Sequence, residues 1–144
     1  MISHSNKETN EIAKEFLVKL SPLEKSATVV GLYGELGTGK TTFTQFIAKE
    51  LGIKKKINSP TFTIMKRYAL KNKNYKNLFH IDAYRLKNEK ELPHLGWEEI
   101  IENKEHLIFI EWPENIIKAM PKKHHQIHIS HTKEGHRKLE IKNI

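Results

Sequence analysis

The sequence predicts one α/β domain over residues 1–144, a mixed, mainly parallel sheet flanked by helices and closed by a C-terminal β-hairpin. Three observations predict it. A glycine-rich run, residues 34–41, stands between an apolar strand-like segment and an amphipathic helix-like one. Leu107-Ile108-Phe109-Ile110 is short and wholly apolar, as strands buried on both faces are. The tail alternates apolar and polar residues around Lys133-Glu134-Gly135-His136, the pattern of a hairpin. A chain of 144 residues is one domain's worth and long enough to bury a core.

The elements follow in order. Over residues 8–20, Ile12, Phe16, Leu17 and Leu20 recur at helical spacing. Ser5 or Asn6 suits its N-cap, Glu8 and Glu11 suit its positive end, and Ser21-Pro22 ends it. Residues 27–33 read as a buried strand and residues 42–51 as an amphipathic helix closed by Gly52. A basic loop then runs to Ser59-Pro60. Residues 61–68 and 77–82 are rich in β-branched, aromatic and aliphatic residues, and read as two strands of an antiparallel hairpin across a polar turn. Residues 88–103 are helical in part, broken near Pro93 and Gly96. Pro113 to Met120 forms a short helix or turn. In the terminal hairpin, Ile127 and Ile129 alternate with polar residues on the first arm and Leu139 and Ile141 on the second.

Composition narrows the function. Without cysteine there is no disulfide, thiolate zinc site or thiol chemistry. The first residues lack a basic-then-apolar signal pattern, and no apolar run reaches membrane-spanning length, so the expected location is the cytoplasm. The formal net charge of +8 suits an anionic partner such as RNA. It comes overwhelmingly from lysine, with Arg67, Arg85 and Arg137 the only arginines, and scattered surface lysine explains it equally well.

The chemistry starts at Gly34-Glu35-Leu36-Gly37-Thr38-Gly39-Lys40-Thr41. Two glycines four residues apart, then Lys and a hydroxyl residue, match a nucleotide phosphate loop, and the strand before it and helix after it are the required context. The domain is therefore expected to be of P-loop NTPase type. Glycines let backbone N–H groups turn inward on phosphate oxygens, and the helix N-terminus adds its positive dipole end. Lys40 reaches the terminal phosphates in this motif, and Thr41 ligates Mg2+.

Such a loop needs acidic partners at strand ends. Two stand there: Asp82, the only aspartate of the chain, and Glu111. Residue type leaves either one open as the direct metal ligand. Ser59 and Thr61, in Ser59-Pro60-Thr61-Phe62, offer hydroxyls to a γ-phosphate or its water, as a switch-like loop does. In His80-Ile81-Asp82-Ala83-Tyr84-Arg85, strand alternation puts His80 beside Asp82. That pair suits metal binding, water orientation or a structural hydrogen bond. Arg85 suits phosphate neutralisation or a salt bridge. The other histidines read as surface or hairpin positions.

Together these clusters resemble the TsaE family, also called YjeE. The Gly34–Phe43 run, Ser59-Pro60-Thr61-Phe62, His80-Ile81-Asp82-Ala83-Tyr84-Arg85 and Ile110-Glu111-Trp112-Pro113-Glu114 occur in that family's order and approximate spacing, and the resemblance spans nearly the whole chain, from Thr9 to the hairpin around Arg137. The resemblance implies a bacterial Mg2+-dependent ATPase of tRNA threonylcarbamoyladenosine (t6A) biosynthesis. It implies that Gly37, Thr38, Gly39, Lys40, Thr41 and Thr42 hold the ATP phosphates, with Thr9 near the nucleotide. It makes Thr41 and Glu111 magnesium ligands, Asp82 necessary for hydrolysis, Thr61 part of a switch-like loop and Trp112 a neighbour of the site. The implied partners are TsaD and TsaB, which transfer threonylcarbamoyl to adenosine 37 of tRNA. The ATPase supports their turnover, slow alone, and meets tRNA through the complex. Trp97 departs from the family, which more often has an aliphatic residue there. The alternative is a small nucleotide or metabolite kinase, against which the few arginines and the lack of a lid-like insertion count. A guanine reader of the Asn-Lys-x-Asp type is missing, because Asn72-Lys73-Asn74-Tyr75 has no Asp.

Overall fold

The computed structural model describes residues 1–54 and 64–144. The expected Ser59–Phe62 loop, with Ser59 and Thr61, lies outside the described residues. So does the start of the strand expected over residues 61–68, whose described part is β3.

In chain order the elements are β1 (Ile2–Ser3), α1 (Asn6–Lys19), β2 (Thr28–Tyr33), α2 (Lys40–Glu50), β3 (Met65–Ala69), β4 (Asn77–Asp82), a 3₁₀ segment Glu89–Leu95, α3 (Trp97–Ile101), β5 (His106–Glu111), a 3₁₀ segment Pro113–Ala119, β6 (His125–His131) and β7 (Arg137–Lys142). Local chemistry sets the boundaries. The Ser5 hydroxyl caps α1 by accepting the Glu8 N–H at 3.1 Å, with Glu8 in the positive first turn and Lys19 in the negative last one. Pro93 cannot donate to a helical ladder, and the stretch around it is 3₁₀. Gly96 both ends that segment and opens α3.

The strands form one sheet in the order β1-β7-β6-β2-β5-β4-β3. Its four central strands, β6, β2, β5 and β4, are parallel. Its edges are antiparallel: β3 pairs with β4, β7 with β6, and β1 with β7. The expected terminal hairpin is present, with Ile127 opposite Ile141 and Ile129 opposite Leu139. β1 has no sequence signature, because two residues are too few to show alternation.

Strand alternation splits the core in two. Phe16 of α1 and Phe43 and Ile47 of α2 pack with Val30, Leu32, Phe109, Ile127 and Leu139 on one side. Val29, Ile81, Ile108 and Ile110 face Leu92, Trp97, Ile100, Ile116 and Met120 on the other. Every apolar residue of β5 is therefore buried, which explains its unbroken aliphatic run. Trp97 donates its indole N–H to the Ala119 carbonyl at 3.3 Å, tying α3 to the second 3₁₀ segment.

Parallel strands end on the same edge of a sheet, where α/β proteins place their ligands. Here the register sets Glu111 beside Leu32 on one side and beside Asp82 on the other. The glycine loop leaves β2 at this edge.

Candidate functional site

The loop after β2 keeps its shape because of glycine. Gly34 sits at φ +152, and a Cβ there would stand 2.4 Å from the Ile129 carbonyl oxygen, so only glycine lets the chain pass β6 this closely. Gly39 sits at φ +105 as the N-cap of α2 and gives that end no side-chain cap. The N-cap thus takes none of the first-turn N–H groups of α2 with a side chain, and they suit an anion. Thr38 closes the loop internally, its hydroxyl donating to the Glu35 carbonyl at 3.0 Å.

Lys40 opens α2 and is buried, at 5 % exposure. Its ammonium donates to the Gly34 carbonyl at 2.6 Å and lies 3.5 Å from the centre of the Trp112 ring. Burial lowers its pKa, opposed by the attraction of Glu111, Glu114, Asp82 and Glu35. A cation held in a low-dielectric site by a ring face and one carbonyl is poised for a stronger anionic partner. Trp112 holds this position at φ +60, the only non-glycine residue at positive φ among the described residues. Its ring also meets Tyr84 at 5.1 Å.

Thr41, one residue along α2, points to the end of β5. Its hydroxyl lies 2.9 and 3.0 Å from the two carboxylate oxygens of Glu111. The other side of that carboxylate is taken by His80, whose Nε2 is 2.6 Å from Glu111 Oε2. Both His80 and Glu111 are buried. A buried carboxylate with two donors is a satisfied one, and it keeps a fixed orientation. The sequence expectation placed His80 with Asp82; the structure pairs it with Glu111. The β4–β5 register sets His80 beside Phe109 and Asp82 beside Glu111, so Glu111 is the diagonal neighbour of His80 on the same sheet face, and the long glutamate side chain reaches back to the imidazole. His80 Nδ1 is buried with no hydrogen-bond partner among the described residues. A hydroxyl and a carboxylate in contact are hard oxygen donors, so this pair fits Mg2+. Asp82 stands beside Glu111 in the register, half-buried, and its Oδ1 accepts the Tyr84 N–H at 3.0 Å.

The hairpin and the N-terminus complete the site. The Arg137 guanidinium reaches across Gly39, where an added Cβ would meet it at 3.1 Å. It donates to the Asn6 amide oxygen at 2.9 Å and approaches the Thr9 hydroxyl at 3.5 Å. Thr9 is buried, hydrogen-bonded to Ser3 at 2.6 Å. Thr9 thus joins the loop through Arg137. Arg85 is exposed in the turn after β4. Of the other histidines, His125 is buried against Phe16. Sequence reasoning passed over Arg137, Asn6 and His131 as loop neighbours, since only the fold brings chain positions 6 and 137 together.

The family model described as threonylcarbamoyl adenosine biosynthesis protein TsaE matches residues 3–139. The tRNA threonylcarbamoyladenosine biosynthesis protein TsaE of Bacillus subtilis is 37 % identical over 132 residues, covering 92 % of this chain and 77 % of that protein. Its namesake from Rickettsia typhi is 41 % identical over 114 residues, 78 % of this chain and 73 % of that one. The crystal structure of Bacillus subtilis YdiB superposes with a TM-score of 0.74 at 31 % identity, covering 96 % of this chain and 80 % of that one.

Proposed function

Because the chain belongs to the TsaE family, we propose that it is the ATP-binding and ATP-hydrolysing subunit of the t6A machinery, one P-loop ATPase domain over residues 1–144 acting in the cytoplasm. The observation that carries this reading is the Lys40–Thr41–Glu111–His80 cluster at the mouth of an uncapped helix.

In this reading the loop from Gly37 to Thr42 holds the phosphates through its N–H groups. Lys40 leaves the Gly34 carbonyl for the phosphate oxygens and neutralises charge that grows in the transition state. Thr41 and Glu111 would hold Mg2+, which would supply positive charge against the phosphates. His80 keeps the Glu111 carboxylate turned toward Thr41. Asp82 orients the attacking water or the waters of the metal. Water attacks the γ-phosphorus, the bond to the bridging oxygen breaks, and ADP and phosphate leave. Arg137 and Thr9 border the nucleotide on the α1 side.

TsaD and TsaB are the partners this reading names. Hydrolysis by the isolated chain is slow and supports their repeated turnover, and tRNA is met through the assembled complex. Calorimetric titration of the TsaD–TsaB pair with this chain, preloaded with ATP or with ADP, tests it. Nucleotide-dependent affinity is expected; no association with either nucleotide would overturn the partner assignment.

A further inference from the structure

The phosphate loop has a backing that the nucleotide-binding reading does not use. Three glycines of the loop, Gly34, Gly37 and Gly39, have positive φ, and each meets a different group of the β6–β7 hairpin. Gly34 lies against the Ile129 carbonyl and Gly39 against the Arg137 guanidinium. The Gly37 carbonyl lies 2.9 Å from His131 Nε2. His131 and Arg137 face each other as the last pair of the hairpin ladder. One antiparallel pair thus lies against the loop at two points, bonded to it at Gly37, and the β6 backbone lies against it at a third.

We infer that His131 is a positioning residue of the phosphate loop, its ring N–H fixing the Gly37–Thr38 peptide so that the Thr38 N–H faces into the loop. A carbonyl oxygen only accepts, so the ring nitrogen is the donor. In a trans peptide the C=O and the following N–H point in opposite directions. Holding the Gly37 carbonyl outward on His131 therefore turns the Thr38 N–H inward, where it meets the Glu35 carbonyl at 3.3 Å. That bond is long, and a phosphate oxygen is a stronger acceptor for the same N–H. Glycine at φ +79 has no side chain to stop this peptide from rotating. The restraint comes from the hairpin, 94 residues away in the chain.

The inference rests on the proposed nucleotide site but is tested apart from it. The variants are His131→Ala and His131→Gln, the second keeping an N–H donor of similar reach. The first readout is amide hydrogen exchange at Thr38 in the nucleotide-free chain. The second is the dissociation constant for ADP. Thr38 exchange is expected to quicken in His131→Ala and to return to the wild-type rate in His131→Gln. The alanine variant should bind ADP more weakly by about three- to tenfold, the worth of one net hydrogen bond, and the glutamine variant within about twofold of wild type. Unchanged Thr38 exchange in His131→Ala would overturn the inference. So would a glutamine variant that behaves like alanine, because the N–H would then not be what matters. If the wild-type chain failed to bind ADP, the proposed function would fall while the exchange experiment still decided the role of His131.

Discussion

Glu111→Gln separates the metal role of this carboxylate from its structural one. Glu111 is 3 % exposed and engages Thr41 at 2.9 and 3.0 Å and His80 at 2.6 Å. The amide keeps the shape. Its oxygen still accepts from one of these donors, and its NH2 finds the Thr41 hydroxyl oxygen as an acceptor. Each charge-assisted bond exchanged for a neutral one loses about 1 kcal/mol, and relief from burying a carboxylate offsets most of that. The net change in stability is expected within about 1 kcal/mol, or a melting shift of no more than about 4 °C for a chain of this size. The effect on Mg2+ should be far larger, since a neutral amide gives up the charge that holds the cation. ADP release should fall by at least about a hundredfold, as loss of ~3 kcal/mol of transition-state stabilisation implies. Nucleotide binding without metal should persist. Melting by circular dichroism, metal-free ADP titration and ADP release across a Mg2+ series measure the three. Wild-type turnover with an unchanged Mg2+ requirement would refute the reasoning, and the metal would have to be held elsewhere.

Further outcomes follow from the same geometry. Lys40→Ala should lose hydrolysis by about a few hundredfold and keep its fold, checked by ADP release and melting; a normal rate would remove the loop from the chemistry. Gly34→Ala should destabilise by about 2–4 kcal/mol, because its Cβ would stand 2.4 Å from a backbone oxygen at φ +152, and denaturant titration reads this directly. Burial against Phe16 lowers the pKa of His125, only partly opposed by its bond to Asn143. The unfolded chain therefore binds the proton first as pH falls below about 6.5, and stability should drop from there towards the folded value by at most about 1.4 kcal/mol per pH unit from this group. His125→Gln should flatten that slope in melting experiments between about pH 5 and 7.

The loop, its strand and its helix were legible in the sequence because glycine spacing and a buried strand are local signals. The same holds for Glu111, where a carboxylate follows an aliphatic run, and for the terminal hairpin with its alternation. The partner of His80 was not legible. Alternation within β4 suggests Asp82, whereas the contact runs diagonally across to Glu111 of β5, and a contact between two strands is not written in either one alone. Arg137 and His131 were illegible as loop neighbours for a related reason. Each is an ordinary polar residue at the end of a hairpin, and its meaning comes from the crossover that lays β6 beside β2. β1 escaped notice because its two residues gain their strand character only from β7.

The central claim is ATP hydrolysis at the loop in support of TsaD and TsaB. It is tested most directly by measuring ADP released from Mg2+-ATP by the purified chain, alone and with the two partners, with no phosphate acceptor added. Slow release alone, accelerated by the TsaD–TsaB pair, is the predicted result. No ADP in either mixture would contradict the claim, as would release that begins only when a small-molecule acceptor is supplied, which is the behaviour of a kinase.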